Sequence, residues 1–278
     1  MAGAVAGCAI VHEQEHWYAS IREVGMRVAF VGKGGAGKSA ISGTFARMLA
    51  RTGRPVLAID SDPLPGMAFS LGLDRDDAPL PDEAIEDRPE DEEGPRYRLR
   101  AGLDAAEAVE QYAVHAPDGV RFLQFGKIRT DPRALFRSQI AFRQIINELP
   151  EDRWDLVGDL PGGTRQAFTG WGAYADTYLV VVEPMAKSLL SARRLARLAS
   201  ATDRPVRVVA VANKVSEAGD AEMIAARTGL EVVASVPLEP AFADAERAGR
   251  APLDVVPDSA AVRAVALLVE RLAQHSMT

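Results

Sequence analysis

A single cysteine, Cys8, stands among the 278 residues. That excludes an intrachain disulfide framework and any thiolate metal site built from one chain. Aromatic residues are sparse at 6%, and no apolar stretch approaches the roughly 20 residues needed to span a bilayer. The first ten residues lack the basic start and the sufficiently apolar core of a secretory signal. Positive charge is also short: 32 Lys and Arg against 39 Asp and Glu leave a net charge of −7, which argues against general affinity for nucleic acid or anionic lipid. These absences predict a cytoplasmic location. What remains is 47% hydrophobic and 26% charged, a composition suited to one large α/β domain.

Against that background one stretch is unusually specific. The apolar run Met26 to Val31 leads into Gly32-Lys33-Gly34-Gly35-Ala36-Gly37-Lys38-Ser39, which contains G-x-x-x-x-G-K-[ST]. Such a loop wraps nucleotide phosphates, because successive backbone N–H groups can approach the oxygens where no Cβ intervenes. Lys38 then supplies a point charge for the β- and γ-phosphates, and Ser39 a hydroxyl ligand for Mg²⁺. The motif has its expected context, a buried strand over 27–31 before it and a helix after it with Ile41, Phe45, Met48 and Leu49 on one face. The helix start adds its positive end to the same anion site.

Carboxylates follow at two other strand ends. Pro55 to Ile59 is a predicted strand closing in Asp60-Ser61-Asp62-Pro63, where acids can hold the Mg²⁺ shell or orient an attacking water. An Asp cap and turn is the plainer alternative. Trp154 to Asp159 is another, leading into Leu160-Pro161-Gly162-Gly163. Asp159 can hold the Mg²⁺ shell, while a Gly162 or Gly163 amide can bond a γ-phosphate and release it after hydrolysis.

Further strands are predicted at 120–125, 177–183, 206–213 and 232–236, with helices between, including one capped by Asp131 and running to Leu149. The last helix, Ser259 to Ala273, carries Val262, Val265, Val269 and Leu272 on one face and is read as packing on the sheet rather than on a membrane. This alternation predicts a doubly wound, mostly parallel sheet with helices on both faces, a Rossmann-like P-loop NTPase. The acidic, proline-broken stretch Asp74 to Glu93 is expected to be a solvated surface loop.

Residues 1–25 are expected to form an extension, and 26–278 the ATPase domain. Within the extension, His12-Glu13-Gln14-Glu15-His16 matches the zinc-protease pattern H-E-x-x-H. Too little chain separates it from the first strand to build a protease around it, so a polar extension is the favoured reading and metal binding stays open. At the base-recognition end, Asn213-Lys214-Val215-Ser216 resembles the guanine motif Asn-Lys-x-Asp, but Ser216 replaces the acid that reads guanine. ATP is therefore expected over GTP, with Asn213 at the purine edge and Val236-Pro237-Leu238 walling the ring.

A lysine directly after the first glycine makes Lys33-Gly34-Gly35-x-Gly37-Lys38-Ser39 resemble the deviant Walker A loop of the ParA, MinD and nitrogenase-iron-protein group of ATPases. The resemblance continues through Asp60-Ser61-Asp62-Pro63, Gly158-Asp159, Val181-Val182-Glu183-Pro184, Asn213-Lys214 and Pro237. It implies an ATP-dependent homodimer in which Lys33 reaches the facing subunit's nucleotide, Asp62 orients water and Asp159 senses the Mg²⁺ shell. It further implies nucleotide contacts from Gly34, Gly35, Ala36, Gly37, Lys38, Ser39, Ala40, Gly162, Gly163, Asn213, Lys214 and Pro237, with Ser39, Asp60, Asp62 and Asp159 around Mg²⁺, partly through water. Gly-Asp-x-x-Gly-Gly and Val-Glu-Pro look nearest to the nitrogenase iron protein and the nickel-insertion ATPase for carbon monoxide dehydrogenase. Phe125-Gly126-Lys127-Ile128 lacks the Cys-x-Cys pair of the latter, and no cluster-bridging cysteines are present. Two functional classes follow: an ATP-hydrolysing switch that matures or remodels a client protein, and a positioning ATPase that attaches reversibly to DNA or membrane. The acidic composition favours the first.

Overall fold

The computed structural model describes residues 25–62, 66–74, 80–125, 132–164, 166–168, 170–201 and 206–275. The histidine pattern at 12–16, the stretch 126–128 and the expected cap Asp131 lie outside them. The strands are β1 (Arg27–Gly32), β2 (Val56–Asp60), β3 (Ile85–Asp87), β4 (Tyr97–Leu99), β5 (Val114–His115), β6 (Arg121–Gln124), β7 (Asp155–Asp159), β8 (Thr177–Val182), β9 (Arg207–Val215) and β10 (Val232–Pro237). The helices are α1 (Lys38–Arg51), α2 (Met67–Ser70), α3 (Ala105–Tyr112), α4 (Pro132–Glu148), α5 (Ala186–Ala199), α6 (Asp220–Thr228), α7 (Pro240–Arg247), α8 (Pro252–Val255) and α9 (Ala260–His275).

Eight strands make one sheet in the order β10-β9-β8-β1-β7-β2-β6-β5. All neighbours pair parallel except the two-residue β5, which runs antiparallel to β6 at one edge. β1 sits between β7 and β8, where the chain switches from winding one way to winding the other, so its carboxyl end opens a crevice.

Alternation along each strand sends side chains into two apolar layers. Val28 and Phe30 of β1 join Ile41, Phe45 and Leu49 of α1 and Val262, Val265 and Val269 of α9 on one side. Ala29 and Val31 join Phe142 of α4, Leu195 of α5 and Ile224 of α6 on the other. α1 forms because its apolar residues recur every fourth position, and Phe45 meets Phe30 edge-on at 5.4 Å. Burying each such side chain is worth roughly 2 kcal/mol. Arg47 pins the same helix, giving hydrogen bonds to Asp118 and to both oxygens of Asp254. The last helix packs on β10 and α1, as its spacing predicts.

The acidic stretch departs from expectation. Within it, Asp82–Ala84 forms a 3-10 turn and Ile85–Asp87 pairs antiparallel with Tyr97–Leu99. Ala84, Ile85, Tyr97 and Leu99 are buried, so four apolar side chains outweigh the surrounding charge and fasten this hairpin against α4.

Candidate functional site

Five parallel strands deliver the chemistry to one edge: β1 leads to Lys33, β2 to Asp60 and Asp62, β7 to Asp159, β8 to Glu183, and β9 holds Asn213 and Lys214 near its end. The loop after β1 closes a turn with Ala36 N–H on the Lys33 carbonyl, 3.2 Å, and enters α1 through Gly37 at φ 88°. A side chain there would be strained, and its Cβ would lie 2.5 Å from the Asn213 amide nitrogen. α1 has no side-chain N-cap and no acid in its first turn. The amides of Lys38, Ser39 and Ala40 are thus left to an external anion. Lys38 is buried and makes no ion pair among the described residues.

Beside it, the Ser39 hydroxyl donates to Asp159 Oδ2 at 2.5 Å, while Asp159 Oδ1 is buried without a hydrogen-bond partner among the described residues. Burial pushes the Asp159 carboxyl up to about 6, against the opposing pull of the Lys38 charge and the Ser39 hydrogen bond. Burial and the neighbouring Asp159 charge push Asp60 further, to about 8. An orphaned carboxylate oxygen next to a serine hydroxyl and a phosphate cradle suits Mg²⁺, which takes one or two protein oxygens and completes its octahedron with phosphates and water. No three acidic, histidine or cysteine groups converge as a metal cage among the described residues.

Asp60 is placed differently from a direct ligand. Its Oδ1 accepts from Asp62 N–H and its Oδ2 from Gly66 and Met67 N–H, so it ties down the loop that carries Asp62. Asp62 is half-buried, and its charge is felt at both Asp60 and Asp159. Gly162 rests against the phosphate loop, where a Cβ would come within 3.0 Å of the Gly34 backbone. Gly163 donates its N–H to the Gly32 carbonyl at 3.2 Å.

Across the crevice, Asn213 Nδ2 donates to the Ala36 carbonyl at 2.7 Å and leaves its Oδ1 to accept. Lys214, with φ 57°, donates to the Gly35 carbonyl at 3.1 Å and to Glu183 at 2.7 Å. Pro237 is half-buried and Leu238 exposed, whereas Val236 is sunk in the α1 and α9 layer and can form no wall.

Comparison with known families follows this geometry: residues 28–253 match the model described as "CobQ/CobB/MinD/ParA nucleotide binding domain". The chain belongs to this family. Family relatives include the carbon monoxide dehydrogenase accessory protein CooC of Rhodospirillum rubrum, 29% identical over 84% of this chain and 91% of that protein. An uncharacterized ATP-binding protein of Methanocaldococcus jannaschii is 26% identical over 81% of this chain and 90% of its own length. The fold is shared with a ParA family ATPase from Chlorobium tepidum, TM-score 0.69 at 18% identity, covering 89% of this chain and 99% of that one. It is also shared with MinD from Pyrococcus horikoshii solved with Mg-ADP, TM-score 0.67 at 17% identity, covering 89% and 95%.

The phosphate loop, Ser39, Asp159, Asn213 and Lys214 are therefore gathered at one crevice of a CobQ/CobB/MinD/ParA domain. Two further acids share it. Glu183 stood in the sequence only as part of a motif with no role attached, and it proves to hold Lys214 and, at 3.9 Å, Lys33. Burial holds the Glu246 carboxyl of α7 above its ordinary pKa, against the opposing pull of the Lys214 charge, and no local sequence signal marked it.

Proposed function

We propose that this domain is a Mg²⁺-dependent ATPase that works as a homodimeric switch on a client protein. The single observation that carries the reading is the buried Ser39–Asp159 pair with one carboxylate oxygen unpartnered among the described residues, set beside Lys38, which has no ion pair among them, and the uncapped start of α1. Ser39 and Asp159 would hold Mg²⁺, which when bound would supply positive charge to offset that of the phosphates. The protein's part is positioning. Amides of the loop and Lys38 hold the phosphates, Ser39 and Asp159 hold the metal shell, and Asp60 fixes the backbone from which Asp62 orients water. Asn213 Oδ1, its amide nitrogen already committed, is an acceptor suited to the adenine amino group.

Lys33 would cross to the facing subunit's phosphates, where such a cation is worth about 10³ to 10⁵ in rate. Kinship with CooC supports a maturation role, although the thiol pair at 126–128 is missing from the sequence. The test is Mg²⁺-dependent ATP binding and phosphate release by the purified chain. Lys38→Ala should abolish both, and Asp62→Ala should keep binding while slowing release; equal release by Lys38→Ala would refute the reading.

One observation favours a second reading. α5 exposes Lys187, Arg193, Arg194 and Arg197, none of them in an ion pair among the described residues, alongside exposed Leu190 and Leu198. A helix face of this kind suits reversible attachment to DNA or an anionic membrane in spite of the net charge. Cosedimentation with DNA and with anionic liposomes, each with and without ATP, separates the two: ATP-dependent pelleting would favour attachment.

A further inference from the structure

We infer that Glu183 is a positioning residue for Lys33, holding it back against its own phosphate loop in a lone subunit and releasing it when two subunits join. The inference rests on the trans role of Lys33 proposed above. Glu183 follows β8 directly, and its N–H donates to the buried Ser188 hydroxyl at 3.0 Å, which fixes its backbone to the first turn of α5. Its carboxylate is 5% exposed and faces two lysines.

The two are held unequally. Lys214 lies 2.7 Å from Oε1 and is anchored a second time on the Gly35 carbonyl. Lys33 lies 3.9 Å from Oε2, is 32% exposed, and among the described residues otherwise donates to the carbonyl of adjacent Gly34 alone, at 3.3 Å. A buried carboxylate stripped of every cation would be strongly destabilising. With Lys214 fixed in place, Lys33 can leave and Glu183 remains paired. Two cations on one acid thus make Lys33 the transferable partner. A contact this long and this solvated amounts to a threshold of about two- to fivefold on subunit joining, not a lock.

The experiment measures ATP turnover per subunit against protein concentration. Glu183→Gln should lower the half-maximal protein concentration by about threefold, and the shift should shrink as added salt screens the pair. In a Lys33→Ala background, where turnover is lost, the midpoint of ATP-dependent dimerisation is read by analytical ultracentrifugation in place of turnover, and the same substitution should produce no shift. Lys214→Met serves as the comparison for a purely structural role: it should weaken ATP binding without lowering the midpoint. If Glu183→Gln behaves like Lys214→Met, or shifts the midpoint equally without Lys33, Glu183 is a strap on the loop and the inference is overturned. Glu183→Asp, which keeps the charge on a shorter arm, should shift in the same direction as Glu183→Gln and replaces it if that variant does not fold. Wild-type turnover that is independent of protein concentration would refute the trans role of Lys33, and this inference with it, a result distinct from unequal behaviour at Glu183.

Discussion

Asp155 and Asp159 bracket the same strand, and both are at most 3% exposed. At the amino end of β7, Asp155 accepts from Met26 N–H at 2.6 Å and takes both arms of the Arg54 guanidinium. At the carboxyl end, Asp159 has the Ser39 hydroxyl on one oxygen and, among the described residues, no hydrogen bond on the other. A buried charge that is fully paired contributes to holding strands together. One left partly unpaired is a standing penalty that a ligand can relieve, so the contrast separates the architectural end of the sheet from the chemical one.

The contrast breaks most visibly at Asp155. Asp155→Ala removes the buried acceptor shared by the Met26 N–H and the Arg54 guanidinium and should cost about 3 kcal/mol or more in urea unfolding, while ATP binding survives in the fraction that folds. Asp159→Asn should do the reverse: ATP turnover falls on the order of a hundredfold, and thermal stability without nucleotide is retained or improved. If Asp159→Asn unfolded the chain as readily as Asp155→Ala does, the two ends of β7 would not differ in kind.

Titration sharpens the same point. Asp159 and Asp60 bind their protons more tightly in the folded state, at about 6 and about 8, than the usual value of 3.8. Their contribution to stability is therefore greatest at low pH, falls as pH rises above about 4, and levels off once each folded value is passed. Melting temperature of the nucleotide-free protein between pH 4 and 8 should show that decline, and Asp159→Asn should flatten its lower part. The smallest effect concerns Tyr174, whose hydroxyl lies against Gly158 in mid-strand and is buried without a hydrogen-bond partner among the described residues. Tyr174→Phe should stabilise by about 1 kcal/mol in urea unfolding.

Much of this was legible from residue order. The glycine loop, the strand-closing acids and the helix with Ile41, Phe45 and Leu49 all carry local signals whose periods or spacings are set by backbone geometry. α3 was equally legible from Asp104 and Glu107, a capping box that the structure closes reciprocally, yet it was not among the expected helices. The hairpin β3–β4 was hidden, because its few apolar residues are scattered in acidic, proline-rich sequence and find their partners on α4, far along the chain. The duties of Asp60 and Glu183 were hidden for the same reason. A carboxylate's identity is written in the sequence, but whether it meets amides, lysines or nothing depends on which loops fold over it.

The bond from Asn213 to the Ala36 carbonyl has a mechanical corollary. On the reading proposed above, the residue assigned to the purine is buttoned to the loop assigned to the phosphates, so the two ends of a nucleotide would meet one connected unit. A molecule offering only the purine or only the phosphates should therefore be gripped more loosely than the whole nucleotide.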